Sequence, residues 1–307
     1  MAKKKSGKDQ RSAGSGKAGQ HTTKELPSID GRLADAVRLP TSVTELSQLS
    51  TTPLELGPTD KKSAAHALSE LGQPLADLQE KLYAQSTAGS SRGVLLLLQG
   101  MDTAGKDGVI DHVVGLLNPG GVRMASFKSP NAEELSHDFL WRIEKQLPQA
   151  GEIGVFNRSH YEDVLIVRVH DLVPRAEWSK RYAQINAFER HLKKRGVTLI
   201  KCFLHISKKT QAERLAARLD DPEKYWKYNP ADVDERGHWD DYQQAYLDAL
   251  RKCNTVGTPW HVIPSDKKWY RNWAVAALLH ETLVEIDPQY PAAEFDLEVE
   301  RKRIAES

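Results

Sequence analysis

The chain is poor in cysteine. Cys202 and Cys253 are the only two in 307 residues, too few for a disulfide framework or a four-ligand zinc site. Excess charge of either sign is also missing, since 43 Lys and Arg against 42 Asp and Glu leave a formal net charge of +1. A chain this neutral has no global attraction to nucleic acid or anionic membranes, so a polyanion site must come from local clustering. No apolar run reaches membrane-spanning length, and no signal-peptide core follows the first lysines. These absences imply a protein of the reducing cytoplasm with no membrane partner and no specific nucleic acid. No internal repeat is visible, and the length suits one large α/β domain with an appended helical piece.

What is present centres on Val94-Leu95-Leu96-Leu97-Leu98-Gln99-Gly100-Met101-Asp102-Thr103-Ala104-Gly105-Lys106-Asp107-Gly108. Five apolar residues run into a G-x-x-x-x-G-K turn, and Val109, Ile110, Val113, Val114, Leu116 and Leu117 follow at helical spacing. Strand, glycine loop and helix in that order are the context of a phosphate-binding loop. Gly100 and Gly105 let the backbone turn its N–H groups inward, and Lys106 adds a mobile positive charge. Gly100, Ala104, Gly105, Lys106 and Asp107 are the expected phosphate contacts of this loop.

The loop departs from the ordinary pattern in one respect. A Ser or Thr normally follows the lysine and ligates Mg²⁺ through its hydroxyl. Here Asp107 follows it, and a second carboxylate, Asp102, lies inside the loop. A carboxylate facing phosphate is repelled unless a cation lies between them, so Asp102 is expected as a metal ligand.

Residues 1–25 form a basic tail, in whose first twenty residues Lys3, Lys4, Lys5, Lys8, Arg11 and Lys17 face a single acid, Asp9. Its composition predicts disorder, serving either as a solvated extension or as a polyanion-catching arm. Residues 26–58, broken by Pro27, Pro40, Pro53 and Pro58, are expected to wrap the core. A helix starting at Thr59-Asp60 runs to about residue 83. Strands are expected at 94–98, 122–127, 151–157, 197–206 and 259–264. Helices are expected at 133–147, 176–195, 208–219, 239–253 and 268–286. The alternation implies a parallel sheet of about five strands between helices. Ligands of such sheets bind at the carboxyl ends of the strands, where the glycine loop and residues 157–163 should converge. The domain spans 59–287, with a lid at about 208–238 and a charged tail at 288–307.

Three motifs together carry a resemblance. The glycine loop, the string Phe156-Asn157-Arg158-Ser159-His160-Tyr161-Glu162-Asp163-Val164-Leu165, and Arg218-Leu219-Asp220-Asp221-Pro222-Glu223-Lys224-Tyr225-Trp226-Lys227 occur in this order. With Ser126-Phe127-Lys128-Ser129-Pro130 and His137-Asp138-Phe139-Leu140-Trp141-Arg142, the chain resembles the family-2 polyphosphate kinases. The resemblance implies a thymidylate-kinase-like P-loop kinase fold with a helical lid. It also implies phosphoryl transfer between inorganic polyphosphate and an adenine nucleotide (guanine nucleotides being the alternative), with Mg²⁺ or else Mn²⁺. The Asn-Arg-Ser-His-Tyr-Glu-Asp string is similar to the branch that uses AMP, or both AMP and ADP. A homo-oligomer is implied, and the apolar face of the last long helix offers a surface for it.

Roles follow residue by residue. Lys106 is expected to bind the phosphates in transfer, Asp102 and Asp163 to hold the metal, and Arg158 to neutralise the transferring group, the alternative for Arg158 being a structural ion pair. Lys128 and Arg168 are expected to line the polyphosphate groove, Arg168 reading equally as an ordinary ion pair, and Arg218 with Lys224 or Lys227 is expected to close over phosphates. Asn157, His160, Glu162 and Trp141 are expected at the nucleotide. In-line transfer needs no covalent carrier, so a hydrogen-bonding role is expected for His160. Trp141 reads equally as core or as pocket wall. Two other functions compete. One is an ATP-dependent nucleoside monophosphate kinase, which Asp102 and Asp107 disfavour. The other is a polyanion- or nucleic-acid-binding module built on the tail, which leaves Asp102 and Asp163 unexplained.

Overall fold

Residues 31–307 are described by a computed structural model. The basic tail at 1–25 and the first five residues of the 26–58 segment lie outside the described residues. β1 (Gly93–Gln99) is buried at every position, as an unbroken apolar run demands of a strand covered on both faces. β2 (Val122–Ser126), β3 (Ile153–Asn157), β4 (Val197–His205) and β5 (Trp260–Pro264) join it in one parallel sheet. The strand order is β2-β3-β1-β4-β5. This is the expected five-stranded α/β architecture.

The first half of the chain contributes α1 (Leu33–Ala36), α2 (Lys61–Thr87), α3 (Lys106–His112), α4 (Ala132–Leu135), α5 (Trp141–Glu144) and α6 (Ile166–Val169). The second half adds α7 (Arg175–Lys194), α8 (Lys208–Leu219), α9 (Ala231–Gly237), α10 (Trp239–Lys252), α11 (Lys268–Ile286) and α12 (Leu297–Glu306). Asp60 starts α2 by accepting the N–H groups of Lys62 and Ser63, both at 2.8 Å. The connection leaving β1 runs toward β2, and the one leaving β4 runs toward β5. That divergence opens the crevice in which α/β sheets bind ligands, and the glycine loop sits at its floor.

The order of the elements agrees with the expectation, but several details differ. The single helix expected over 133–147 is two short helices, α4 and α5. Asp138 Oδ1 accepts the Leu140 N–H at 3.0 Å, a local turn that competes with the helical ladder. The helix after the loop ends at His112 and continues only as a 3₁₀ turn over Val114–Leu116. β3 begins at Ile153 rather than 151. The charged C-terminal tail contains α12, capped by Asp296.

The segment from Gly31 onward lays Leu33, Val37, Leu39, Val43 and Leu46 into the core. The Leu39 N–H donates to Trp260 O at 2.9 Å, and the Val262 N–H to Val37 O at 2.7 Å, so this segment covers the outer edge of β5. α11 packs on α2, and its Trp273, Leu278, Leu279 and Leu283 are buried. The apolar face considered above for self-association is therefore covered within the chain. Among the described residues no helix is long and apolar enough to cross a membrane.

Candidate active site

The glycine loop turns sharply between β1 and α3. Gly100 (φ 154°) passes so close to β4 that a Cβ there would lie 2.6 Å from Leu204 O. Gly105 takes φ 107°, a left-handed conformation that costs L side chains strain. Lys106 is 9% exposed, and its Nζ donates to Gly100 O at 2.7 Å and Met101 O at 3.4 Å. Burial lowers its pKa below the usual lysine range, and Arg158 acts in the same direction.

Arg158 follows β3 directly. It is a non-glycine residue at φ 65°, with its N–H donating to Leu98 O on β1 at 3.1 Å. A left-handed arginine stores strain that only a surrounding structure can hold, a feature concentrated at functional sites. Its Nη2 lies 3.1 Å from Asp102 Oδ1 and its Nη1 3.6 Å from Glu162 Oε2. Glu162 first, and then Asp102, raise its pKa against the opposing effect of burial. Asp102, Arg158 and Glu162 thus share one narrow cleft with Glu235 of the lid segment and Tyr242 of α10. The cleft holds about 30 Å³ of free space, room for a cation or a water. Tyr242 Oη donates to Glu235 Oε2 at 2.6 Å. At the other side of the loop, Asn157 Nδ2 donates to Asp107 Oδ1 at 2.8 Å and ties the start of α3 to β3.

Asp163 is placed differently from Asp102. Its Oδ1 accepts from Arg181 Nη1 at 2.8 Å, and its Oδ2 lies 3.9 Å from Arg142 Nη2. Burial pushes its carboxyl up to about 6, outweighing the two arginines. Among the described residues no group of three or more His, Cys, Asp or Glu converges as a ready-made metal cage.

The remaining candidates spread outward. Arg168 bonds Asp248 at 2.7 Å and Tyr182 Oη at 3.4 Å, and its guanidinium lies over Trp178, so its contacts join α6, α7 and α10. Lys128 is exposed, and its backbone carbonyl accepts from Arg142 at 2.8 Å. Trp141 is half-buried, stacked on His137 at 4.0 Å with Lys145 Nζ 3.4 Å from its ring centre. It is therefore not a core residue. In the lid, Arg218 bonds Lys227 O at 2.8 Å and Asp232 at 2.9 Å, Lys224 pairs with Asp221, and Lys227 lies over the Trp226 ring.

Comparison with known proteins bears on this arrangement. Residues 58–291 match the polyphosphate kinase 2 family. The chain belongs to that family. It is 51% identical over 234 residues to an AMP/ADP-polyphosphate phosphotransferase of Meiothermus ruber, covering 76% of this chain and 86% of that one. It is 46% identical over 229 residues to an ADP-polyphosphate phosphotransferase of Rhodopseudomonas palustris, covering 71% and 78%. Among solved structures, polyphosphate kinase 2 from Arthrobacter aurescens TC1 superposes with a TM-score of 0.88 at 46% identity, covering 91% of this chain and 99% of that one.

The string that this polyphosphate kinase 2 chain carries after β3 is held from beneath. His160 and Tyr161 are fully buried, and so are Glu189 of α7 and Lys201 of β4. Lys201 Nζ donates to Glu189 Oε2 at 2.7 Å, Cys253 O at 2.7 Å and Tyr161 Oη at 3.1 Å. Glu189 also accepts from Tyr161 Oη at 2.6 Å and Thr258 Oγ1 at 2.9 Å, and His160 Nε2 lies 3.4 Å from it. Burial lowers the His160 pKa and favours the neutral ring, whose Nδ1 has no partner among the described residues. Neither Glu189 nor Lys201 stands out by motif. The signal was a lysine in the middle of a strand expected to be buried on both faces, which requires a buried acid elsewhere.

Proposed function

We propose that this polyphosphate kinase 2 transfers a phosphoryl group between inorganic polyphosphate and an adenine nucleotide, accepting AMP and ADP. The observation that carries this reading is Arg158, held in a left-handed conformation between Asp102 and Glu162 at the mouth of the phosphate loop. Its guanidinium is aimed and charged before substrate arrives. Phosphoryl transfer proceeds mainly by positioning and charge stabilisation, so preorganised cations of this kind are its main requirement. Lys106 already sits within the loop, and releasing Gly100 O would free its ammonium for phosphate oxygens. The identity to relatives named for AMP and ADP use supports the acceptor assignment.

The donor set suits a divalent cation. Asp102, Glu162 and Glu235 bring hard carboxylate oxygens around the cleft, and Mg²⁺ commonly takes one or two carboxylates with phosphates and waters completing its shell. Asp102 would be its ligand from the loop, with Mn²⁺ accepted by the same oxygens. Asp163 joins that set only if Arg181 or Arg142 turns away from its carboxylate. Such an ion, when bound, offsets the repulsion between donor and acceptor phosphates. Burial of His160 against Glu189 supports direct transfer with no phosphorylated histidine. The two buried free thiols suit a reducing cytoplasm.

The test is purified protein with AMP or ADP, long-chain polyphosphate and Mg²⁺, without ATP, read by nucleotide chromatography. ADP should form from AMP, and ATP from ADP. No product with polyphosphate, alongside ADP formation from AMP plus ATP, would make the protein an ordinary nucleoside monophosphate kinase.

A further inference from the structure

Every backbone carbonyl of the phosphate loop faces a donor. Gly100 O and Met101 O accept from Lys106, and Asp102 O accepts from Gln211 Nε2 at 3.2 Å. Gly105 O accepts the Val109 N–H inside α3 at 3.1 Å. The two remaining carbonyls, on Thr103 and Ala104, are taken by arginines from distant helices. Arg214 of α8 donates to Thr103 O at 2.8 Å and Ala104 O at 3.3 Å, and Arg271 of α11 donates to Ala104 O at 3.0 Å. Arg214 is anchored in turn on Ser265 O and Asp266 O, and Arg271 on Asn272 Oδ1 at 2.7 Å. All of these acceptors are uncharged oxygens.

We propose that Arg271, with Arg214, is a positioning residue that presets the phosphate loop and places an uncompensated positive charge directly behind it. A carbonyl turned toward phosphate repels it, whereas one locked to an arginine leaves the loop's N–H groups to face the anion. Thr103, at φ 62°, is the residue whose carbonyl Arg214 captures, so the clamp also holds a strained conformation. Arg271 is 2% exposed, and a buried charge is poorly screened by solvent and salt. Burial, and then the neighbouring Arg214, lower its pKa to about 9, and an anion seated on the far side of the loop would relieve that.

Two glycines record the close fit. A Cβ at Gly105 would lie 1.7 Å from Arg271 Nη1, and one at Gly108 would lie 2.6 Å from Nη2. Gly108 sits within α3 and needs no unusual φ. Gly108→Ala therefore displaces the guanidinium while improving helix propensity.

The inference rests on the phosphate-transfer reading, so the wild-type protein is the control. Its binding of tripolyphosphate, measured by calorimetry without nucleotide, tests that reading alone. Given wild-type binding, Arg271→Gln and Gly108→Ala should each weaken tripolyphosphate about tenfold or more with its salt dependence little changed, because a buried charge is poorly screened. Arg271→Lys should restore part of the loss. The double variant should be within about threefold of Arg271→Gln, because both changes break one contact. Partial recovery of affinity in Arg271→Lys, which returns the charge without the planar fork, is a readout that a purely structural arginine would not move. Tripolyphosphate binding within threefold of wild type in folded Arg271→Gln overturns the proposal. Should that variant not fold, the same result in Gly108→Ala overturns it.

Discussion

Replacing Glu189 by glutamine tests the buried support beneath Arg158. The change keeps the side-chain size but removes the carboxylate facing Lys201 Nζ at 2.7 Å, in a pair with no solvent exposure. At that separation the attraction is about 6 kcal/mol for an effective dielectric constant near 20. Desolvation cancels much of it while the pair is intact, but removing one partner strands the other, at about 3–5 kcal/mol. Tyr161 Oη donates to Oε1 and Thr258 Oγ1 to Oε2, and glutamine keeps only one of these oxygens, so one hydroxyl loses its acceptor. At about 2–4 °C per kcal/mol for a domain of this scale, the melting temperature should fall by about 6–20 °C. The pH dependence has a definite sign. Glu189 is held down to about 2 by Lys201 first and His160 next, although burial opposes them. Its ionised form therefore stabilises the fold above its ordinary value of 4.5, and that contribution is lost as pH falls from about 4.5 to 2. Wild type should lose stability steeply in that window and Glu189→Gln less so. Calorimetric melts from pH 7 to 3 measure both effects. Removing both charges while keeping an acceptor, with Glu189→Gln and Lys201→Met, should cost less than Glu189→Gln alone, because no charge is then left buried without its partner. A Glu189→Gln melting temperature within about 2 °C of wild type at pH 7 would refute the reasoning.

The metal assignment is tested by Asp102→Asn, which should fold normally and lose about a hundredfold or more in turnover, roughly 3 kcal/mol of charge stabilisation. Turnover within threefold of wild type at limiting Mg²⁺ would move the assignment to Glu162 or Asp107. Direct transfer is tested by His160→Gln, which should retain at least about a tenth of wild-type turnover. Stoichiometric trapping of an acid-labile phosphohistidine from labelled polyphosphate in the wild-type protein would establish a covalent route instead.

Features set by neighbours in sequence were legible without coordinates. The strand, glycine loop and helix around residues 94–117 follow from an apolar run, two glycines and a helical period, all local properties. β4 and α11 were readable for the same reason, and so was the start of α2 at Asp60. The break at Asp138 was hidden because a side chain competing with the helical ladder leaves the apolar period intact. Partnerships across the fold were not readable at all. Asp163 meets Arg181 of α7 and Arg142 of α5, Lys201 meets Glu189, and Arg271 reaches Ala104 across 167 positions. No spacing rule links such residues, because the contact is made by the packing of whole elements. The sequence alone thus determined that a phosphate loop exists and which strand carries it. Only the tertiary structure decided which arginine faces which carboxylate and which charges are buried, because desolvation and pairing depend on distance in space rather than along the chain.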